Sequence, residues 1–345
     1  MRTPPHSLTT RSTKPRISQP LTGLLKGLAV LLTIQASTSA NTLASPAASQ
    51  ATDTRISRTR GSRADSSLER AKLLLDAPGS EQEVIRLANQ SLAIQQSAEA
   101  YFCRAYAKAR LNDIQGAIVD YGRVIAIDSN VWFAYLNRGV AKENSGDHRG
   151  AIADLTQAIA INPNESQTYF NRGVARSNLG DGNGAINDYS QAISLNPRNA
   201  AAYHNRGADK SEMGDKQGAI DDLTKAIEIT PDDFDAYYSR GNIRDDMNDF
   251  KGAIADFSTA IAIRPGSAAA YNNRGLTRSK SGDFRGAIAD FDQALAIDPD
   301  YAKAWGGRSL ARHQLGDRAG ACADLRQSAI LGFPAGPDLM ATICH

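Results

Sequence analysis

The residues best suited to catalysis or metal binding are scarce in this sequence and poorly spaced for either task. None of the five histidines has the spacing to another histidine or to a cysteine that a zinc site requires: His6, His148, His204, His313 and His345. No nucleophile motif is present, and the glycines form neither a phosphate-binding nor a dinucleotide-binding loop. The sequence therefore predicts a protein that is not an enzyme and that uses no metal or cofactor.

Arginine and aspartate, in contrast, recur together at an interval of 34 residues, with the aspartate 16 residues after the arginine. The pairs are Arg104–Asp120, Arg138–Asp154, Arg172–Asp188, Arg206–Asp222, Arg240–Asp256, Arg274–Asp290 and Arg308–Asp324. Two such side chains form strong ion pairs when they are partly desolvated and fully hydrogen-bonded. We expect a structural ladder of Arg–Asp pairs between helices. The alternative is a basic stripe for an anionic ligand, which the matched aspartates would neutralise.

The 34-residue period runs through seven copies and predicts pairs of helices. Apolar residues spaced i, i+3, i+4 and i+7, as in residues 252–265, indicate an amphipathic helix, and the closing proline cannot continue it. Counting Trp132 as position 1, position 15 is Gly or Asn and position 16 is always Asp. Gly and Asn suit a left-handed helix end, and Asp suits the N-cap of the next helix.

A 34-residue unit with small residues at positions 8 and 20 and a closing proline resembles the tetratricopeptide repeat. The resemblance covers residues 98–333 and implies an all-α fold, a right-handed superhelix of antiparallel helix hairpins. Residues 67–97 are interpreted as a degenerate capping hairpin, because residues 83–94 are similar to residues 116–127. Residues 334–345 are interpreted as a C-terminal capping segment. Arginine at position 7 departs from the family, which usually has an apolar residue there.

The resemblance also implies a binding surface, because the first helix of each such repeat lines a concave groove in which partner peptides lie. The candidate groove residues are Phe102, Tyr106, Asn137, Phe170, Asn171, His204, Asn205, Tyr238, Asn242, Asp245, Asp246 and Asn273. Phe102, Phe170 and Tyr238 would serve as apolar anchors. The asparagines would bond both the N–H and the C=O of an extended backbone. Adaptable packing is the other role open to these asparagines.

The charges at the groove positions favour a neutral or basic protein or peptide partner. The acidic positions are Glu99, Glu143, Glu212, Asp235, Asp245 and Asp246, and the basic ones are Arg110, Lys280 and Lys303. A merely solvated acidic face would have the same composition. A nucleic-acid partner is not expected, because residues 1–66 hold nine of the 39 basic residues but two of the 37 acidic ones, which leaves the repeats acidic.

Two of the three cysteines are placed to form a disulfide. Cys322 stands at position 21, where the other six copies have isoleucine, and Cys344 lies near the chain end. In an exported protein, a Cys322–Cys344 bond would attach the C-terminal segment to the last repeat. Two independent thiols are the alternative. Cys103, at position 6 of the first copy, is expected to be an inert thiol.

The first 40 residues have the order of features found in a secretory signal peptide. A basic stretch precedes the apolar segment 27–34, and small residues follow up to Ala40. The apolar segment is shorter than the roughly 20 residues that span a bilayer. We therefore expect cleavage and export to the periplasm, a lumen or the extracellular space, with no membrane span in the mature chain. An uncleaved membrane anchor or an organellar transit sequence is the alternative. Residues 41–66, rich in Ser, Thr and Ala, predict a flexible linker.

These features predict a non-catalytic protein–protein interaction scaffold that holds an extended partner segment in the concave groove. The alternative is an assembly or structural factor for an envelope or membrane complex, which would dock folded subunits through its outer surfaces. Substitutions in the groove separate the two, because they abolish binding only in the first case.

Overall fold

The computed structural model of the protein describes residues 51–333 and 337–344, and these residues form 17 helices without a β-strand. The prediction of an all-α repeat fold is confirmed. The helices belong to two compact units, one ending at Leu195 and the other beginning at Asn196.

The first unit contains α1 (Ala51–Leu74), α2 (Glu81–Leu92), α3 (Ala98–Arg110), α4 (Ile114–Ile127), α5 (Trp132–Asn144), α6 (His148–Ile161), α7 (Ser166–Asn178) and α8 (Gly182–Leu195). The second unit contains α9 (Ala200–Glu212), α10 (Lys216–Ile229), α11 (Phe234–Asp246), α12 (Phe250–Ile263), α13 (Ala268–Lys280), α14 (Phe284–Ile297), α15 (Ala302–Gln314), α16 (Arg318–Ile330) and α17 (Pro337–Cys344). From α3 onward, odd-numbered helices up to α15 are the first helices of hairpins, and the following even-numbered helices are the second helices.

The turn within each hairpin follows from two local interactions. Gly146 (φ 84°) and Asn248 (φ 62°) have the left-handed backbone conformation that the sequence predicts for position 15. The next residue caps the second helix, as when Asp147 accepts a hydrogen bond of 2.9 Å from the Gly150 N–H. A Cβ on Gly150 would collide with the Asp147 carboxylate, so the cap itself requires glycine at position 19.

The two helices of a hairpin approach closely at positions 8 and 20. A Cβ added to Gly173 would lie 2.7 Å from the ring of Tyr189, and Ala185 in the opposite helix is fully buried. Tyr189 is itself fully buried, so the ring has no open space into which it could withdraw. The small residues at these positions therefore serve helix packing.

Helix α1 corrects the prediction of a flexible linker at residues 41–66, because the chain is helical from Ala51 onward. Ala64, Leu68 and Ala71 form an apolar stripe on α1, and all three are at most 6% exposed. Leu68 and Ala71 share a core with residues of α2 and α3. This packing stabilises a helix that the Ser, Thr and Arg content of the segment does not suggest.

The predicted signal peptide, residues 1–40, lies outside the described residues, and so do residues 41–50 of the predicted linker. No described helix combines the length and the apolarity that crossing a bilayer requires.

Candidate partner-binding site

The arginine and aspartate of each ladder pair form a bidentate ion pair between the two helices of one hairpin. In every pair Nε and Nη2 of the arginine donate to the two carboxylate oxygens, over 2.6–3.0 Å. The aspartates are only 1–5% exposed. Burial would raise the pKa of Asp120, but hydrogen bonds from Arg104 and Lys108 outweigh it and hold that pKa below its ordinary value. The geometry favours the structural role of these residues.

A second cation, missed by the sequence analysis, contacts each of these carboxylates. It stands at position 11 and lies 2.7–2.9 Å from a carboxylate oxygen: Lys108, Lys142, Arg176, Lys210, Arg244, Arg278 and Arg312. Where this second cation is an arginine, it also lies 3.7–3.8 Å from the cap aspartate at position 16, so a second carboxylate lies close to the additional positive charge. The sequence signal was a basic residue four places after every ladder arginine, which is one helical turn along the same face.

The ladder arginines also connect neighbouring hairpins. Arg240 lies over the ring of Tyr237, 5.5 Å from its centroid, and its Nη1 donates to Thr224 Oγ1 of the preceding hairpin over 2.9 Å. Arg274 donates in the same way to Ser258 Oγ, also over 2.9 Å. An aromatic residue at position 4 and a hydroxyl at position 25 are further parts of the ladder that the sequence analysis did not single out.

The structure buries four of the five predicted groove residues of the first unit, the exception being Asn171. Phe102 and Phe170 are at most 1% exposed, so the prediction that they anchor a ligand is wrong. Phe102 packs against Tyr121 and Phe133, with ring centroids 5.7 and 5.1 Å away. Phe170 packs against Tyr189, with ring centroids 5.9 Å apart. Both rings thus lie against a buried tyrosine at position 24 of the second helix, and this packing within the hairpin buries them.

Tyr106 and Asn137 are likewise committed to the protein itself. Tyr106 is 6% exposed and donates to Asp76 Oδ1 over 3.3 Å, which ties α3 to the loop between α1 and α2. Asn137 is 2% exposed and donates to the Phe133 carbonyl of its own helix over 2.8 Å. Asn171 is half-buried and accepts from Gln167 Nε2 over 3.3 Å. For Asn137, packing rather than ligand capture is therefore the role that its surroundings support.

In the second unit the predicted residues divide into buried and accessible ones. Asn205 is 2% exposed, and His204 is half-buried, with its Nδ1 4.0 Å from Asp233 Oδ2. Tyr238, Asn242 and Asn273 form a polar cluster, which is half-buried and open to the surface on one side. Asn273 Nδ2 of α13 donates to Tyr238 Oη and to Asn242 Oδ1 of α11, over 2.8 Å each.

This cluster belongs to a surface of α11, α13 and α15. These first helices contact one another in order along the second unit. Position 9 lies about 200° around a helix from position 7, which faces the second helix, so position 9 points away from it. The surface formed by Tyr238, Asn242, Asp245, Asn273, Leu276, Lys280 and Leu310 is called the inner face below. Leu276 and Leu310 stand at position 9 and are 37% and 45% exposed.

Most of the predicted groove acids are ion-paired. Asp245 contacts Lys280, Asp246 lies 3.8 Å from Lys216, and Asp235 lies 3.9 Å from Arg264. In the first unit Glu99 lies 3.5 Å from Lys72, and Glu143 lies 2.9 Å from His148. These acids therefore do not favour a basic partner, because four of them have a lysine or arginine within 4.0 Å and Glu143 contacts a histidine.

Cys322 and Cys344 are bonded, with an S–S distance of 2.06 Å, and join α16 to α17. Cys103 is 1% exposed, and burial raises the pKa of its thiol to about 12. Its thiolate is therefore rare at neutral pH, which makes it a poor nucleophile.

Comparison with known proteins gives these repeats a family. Sequence models described as tetratricopeptide repeats match residues 134–165, 204–268 and 268–301, and one described as a TPR repeat matches residues 178–208. The chain belongs to the tetratricopeptide repeat family. No curated protein matches it.

Several solved structures resemble this chain, and a tetratricopeptide repeat (TPR) protein is among them. A MamA protein is 31% identical, with a TM-score of 0.47, over 50% of this chain and 94% of MamA. A TPR protein from Parabacteroides merdae ATCC 43184 is 17% identical, with a TM-score of 0.52, over 72% of this chain and 97% of its own. The APC/C hetero-tetramer Cut9–Hcn1 is 15% identical to the chain, with a TM-score of 0.52, over 77% of this chain and 53% of the other. The last two share its fold.

A TPR chain is a protein–protein interaction scaffold, and proteins of this family are in general non-catalytic. Among the described residues no group of His, Cys, Asp or Glu side chains is arranged to hold a metal ion.

Proposed function

We propose that the inner face of α11, α13 and α15 binds an extended, largely neutral segment of a partner protein. The observation that carries the proposal is the bond pattern of Asn273, whose single Nδ2 donates to both Tyr238 and Asn242 across two helices. The three side chains hold one another in place at the surface of the inner face.

The cluster has the chemistry to bond a peptide backbone. The cluster presents one hydroxyl and two carboxamide groups, and each of these groups can both donate and accept hydrogen bonds. Burial raises the pKa of Tyr238, so this hydroxyl stays protonated at neutral pH. A neutral donor and an amide together match the C=O and N–H groups of an extended chain.

The apolar part of the inner face lies next to the cluster. Leu276 and Leu310 occupy on α13 and α15 the position that Asn242 occupies on α11, so the three side chains follow one line across the helices. Two leucines exposed by 37% and 45% would gain from contact with apolar side chains of the partner. Polar contacts to the backbone beside apolar contacts to side chains suit an extended segment with several apolar residues.

The charges on this face favour a neutral ligand. Asp245 and Lys280 neutralise one another within the face. A strongly charged segment would have to break this pair or repel one of its members, whereas a neutral segment leaves it intact.

Selection from a random peptide library provides the test. Peptides would be selected on the immobilised protein, and their affinity for the protein and its variants measured by fluorescence anisotropy. Asn242→Ala together with Asn273→Ala removes most of the cluster. We expect these changes to weaken binding by about tenfold or more, because the two amides that would bond the peptide backbone are removed.

Gln293→Ala is the matched control, because it removes an exposed amide from α14, a second helix of the same unit. It should leave the affinity unchanged, and circular dichroism should show equal helix content in all variants. Peptides that bind the double variant as tightly as the unmodified protein would contradict the proposal and support docking through outer surfaces.

A further inference from the structure

A second candidate site, independent of the inner face, is a cleft of about 420 Å³ between α16 and α17. Its lining includes Ile343, the Cys322–Cys344 disulfide, Arg318 and Arg326. Within the described part of the chain, both guanidinium groups are exposed and neither has a carboxylate at ion-pair distance. The cleft therefore combines apolar lining atoms with two arginines that have no ion-pair partner among the described residues.

Arg326 places a hydrogen-bond donor at a repeat position where other hairpins have a hydrogen-bond acceptor. It stands at position 25, where Thr156, Thr224, Ser258 and Asp292 of other hairpins accept a hydrogen bond from the ladder arginine of the next hairpin. The guanidinium of Arg326 at this position can only donate hydrogen bonds and cannot accept one. A further repeat of the same kind would bring two arginines together, whereas an anion would be attracted.

Helix α17 forms one wall of the cleft. Its Ile343 and Met340 pack against Ala321, Leu325 and Cys322 of α16. Ala321 and Leu325 hold positions 20 and 24, whose equivalents in α14, Ala287 and Phe291, share a core with residues of α15. The disulfide thus holds α17 against the face of α16 that a further repeat would cover, and leaves the two arginines accessible beside it.

We propose that this cleft binds an acidic peptide segment whose two carboxylates pair with Arg318 and Arg326, with an apolar side chain between them. The two arginines are eight residues apart on α16, so their Cα atoms are about 12 Å apart along the helix axis. Carboxylates four residues apart in an extended chain are separated by about 13 Å. The apolar residue midway between them then lies over Ile343 and the disulfide.

Fluorescence anisotropy with a synthetic probe tests the proposal on the full chain. The probe is a fluorescein-labelled pentapeptide of sequence Glu-Ala-Leu-Ala-Glu with blocked termini, and the same peptide with two glutamines serves as its control. We expect the acidic probe to bind in a salt-sensitive manner and the glutamine peptide to bind at least about tenfold more weakly, because each charged hydrogen bond contributes strongly.

Variants locate the site. Arg318→Gln together with Arg326→Gln should weaken the acidic probe by about tenfold or more. Arg285→Gln removes an exposed arginine from α14 and should change nothing. Reduction of the disulfide, which removes the tether of α17, should abolish binding. The proposal is wrong if the probe does not bind, if the double variant binds it normally, or if Arg285→Gln weakens it equally.

Discussion

Arg240 of α11 clamps Asp256 of α12 through two parallel hydrogen bonds, Nε to Oδ2 over 3.0 Å and Nη2 to Oδ1 over 2.7 Å. The arginine is 9% exposed and the aspartate 3%. Nη1 of the same guanidinium donates to Thr224 Oγ1 of the preceding hairpin. One side chain therefore fixes the helix pair of its own repeat and the contact to the previous one. Arginine at position 7 is thus part of the architecture.

Two adjacent aspartates in α10 test this interpretation of the ladder. Asp222 is 4% exposed and holds Arg206 and Lys210, whereas Asp221 is exposed and accepts only from Gln217. Asp222→Asn leaves two half-buried cations without their anion and should lower the free energy of unfolding by about 3 kcal/mol. Asp221→Asn should change it by less than about 0.5 kcal/mol. Urea unfolding measures both, and equal effects would show that the ladder contributes nothing to stability.

Gly122 lacks the side-chain acceptor that other hairpins offer to a ladder arginine, and a substitution should supply it. It occupies position 25 in α4, where it offers no side-chain acceptor to Arg138, and a Cβ built there would lie 3.6 Å from Arg138 Nη1. Gly122→Ala should raise the free energy of unfolding by about 0.5–1 kcal/mol through helix propensity. Gly122→Ser adds an acceptor for Arg138, which should offset its lower propensity. If Gly122→Ser is clearly less stable than Gly122→Ala in thermal unfolding, the added acceptor does not stabilise the ladder.

The free energy of unfolding should depend on pH because of Asp120. Its pKa is lowered in the folded protein, where hydrogen bonds from Arg104 and Lys108 overcome the opposing effect of burial. The contribution of ionised Asp120 to the free energy of unfolding is therefore fully present above the unfolded-state pKa of about 3.9. It is lost as the pH falls through the lower pKa of Asp120 in the folded protein. Asp120→Asn should be much less stable than the unmodified protein at pH 7 and nearly as stable in strong acid. Urea titrations from pH 7 to pH 2 measure this difference, and a constant difference would contradict the assignment.

The three cysteines should become reactive in two steps, first on unfolding and then on reduction. Cys103 is buried with a pKa of about 12, and Cys322 and Cys344 are bonded to one another. Ellman's reagent at pH 8 should therefore find no thiol in the native protein, one after unfolding without reductant, and all three after reduction. Three thiols in the unfolded, unreduced protein would show that the disulfide is absent.

The local parts of this fold can be predicted from the sequence, because their causes lie within a few residues. Asp147 caps α6 through the N–H of Gly150, and Gly146 ends α5 in a left-handed conformation. Both interactions repeat at the 34-residue period. The Arg–Asp pairs are accessible to the same reasoning, because their constant separation of 16 residues places them on facing helices.

The binding surface could be predicted only in part, because burial depends on what covers a residue. Phe102 and Tyr238 stand at the same repeat position, yet Phe102 is buried against Tyr121 and Phe133, whereas Tyr238 is half-buried and its hydroxyl accepts a hydrogen bond from Asn273. Asn137 and Asn273 likewise share position 6, but one bonds its own helix and the other reaches a neighbour. Repeat position alone cannot distinguish such cases.

Hydrogen exchange with mass spectrometry, with and without a peptide selected on the protein, tests the central claim most directly. A ligand that lies on the inner face contacts α11, α13 and α15 and slows local opening there. The account predicts added protection in residues 234–246, 268–280 and 302–314, and little change in the second helices α12 and α14. Protection confined to those second helices, with α11 and α13 unchanged, would place the ligand on the outer surface and contradict the account.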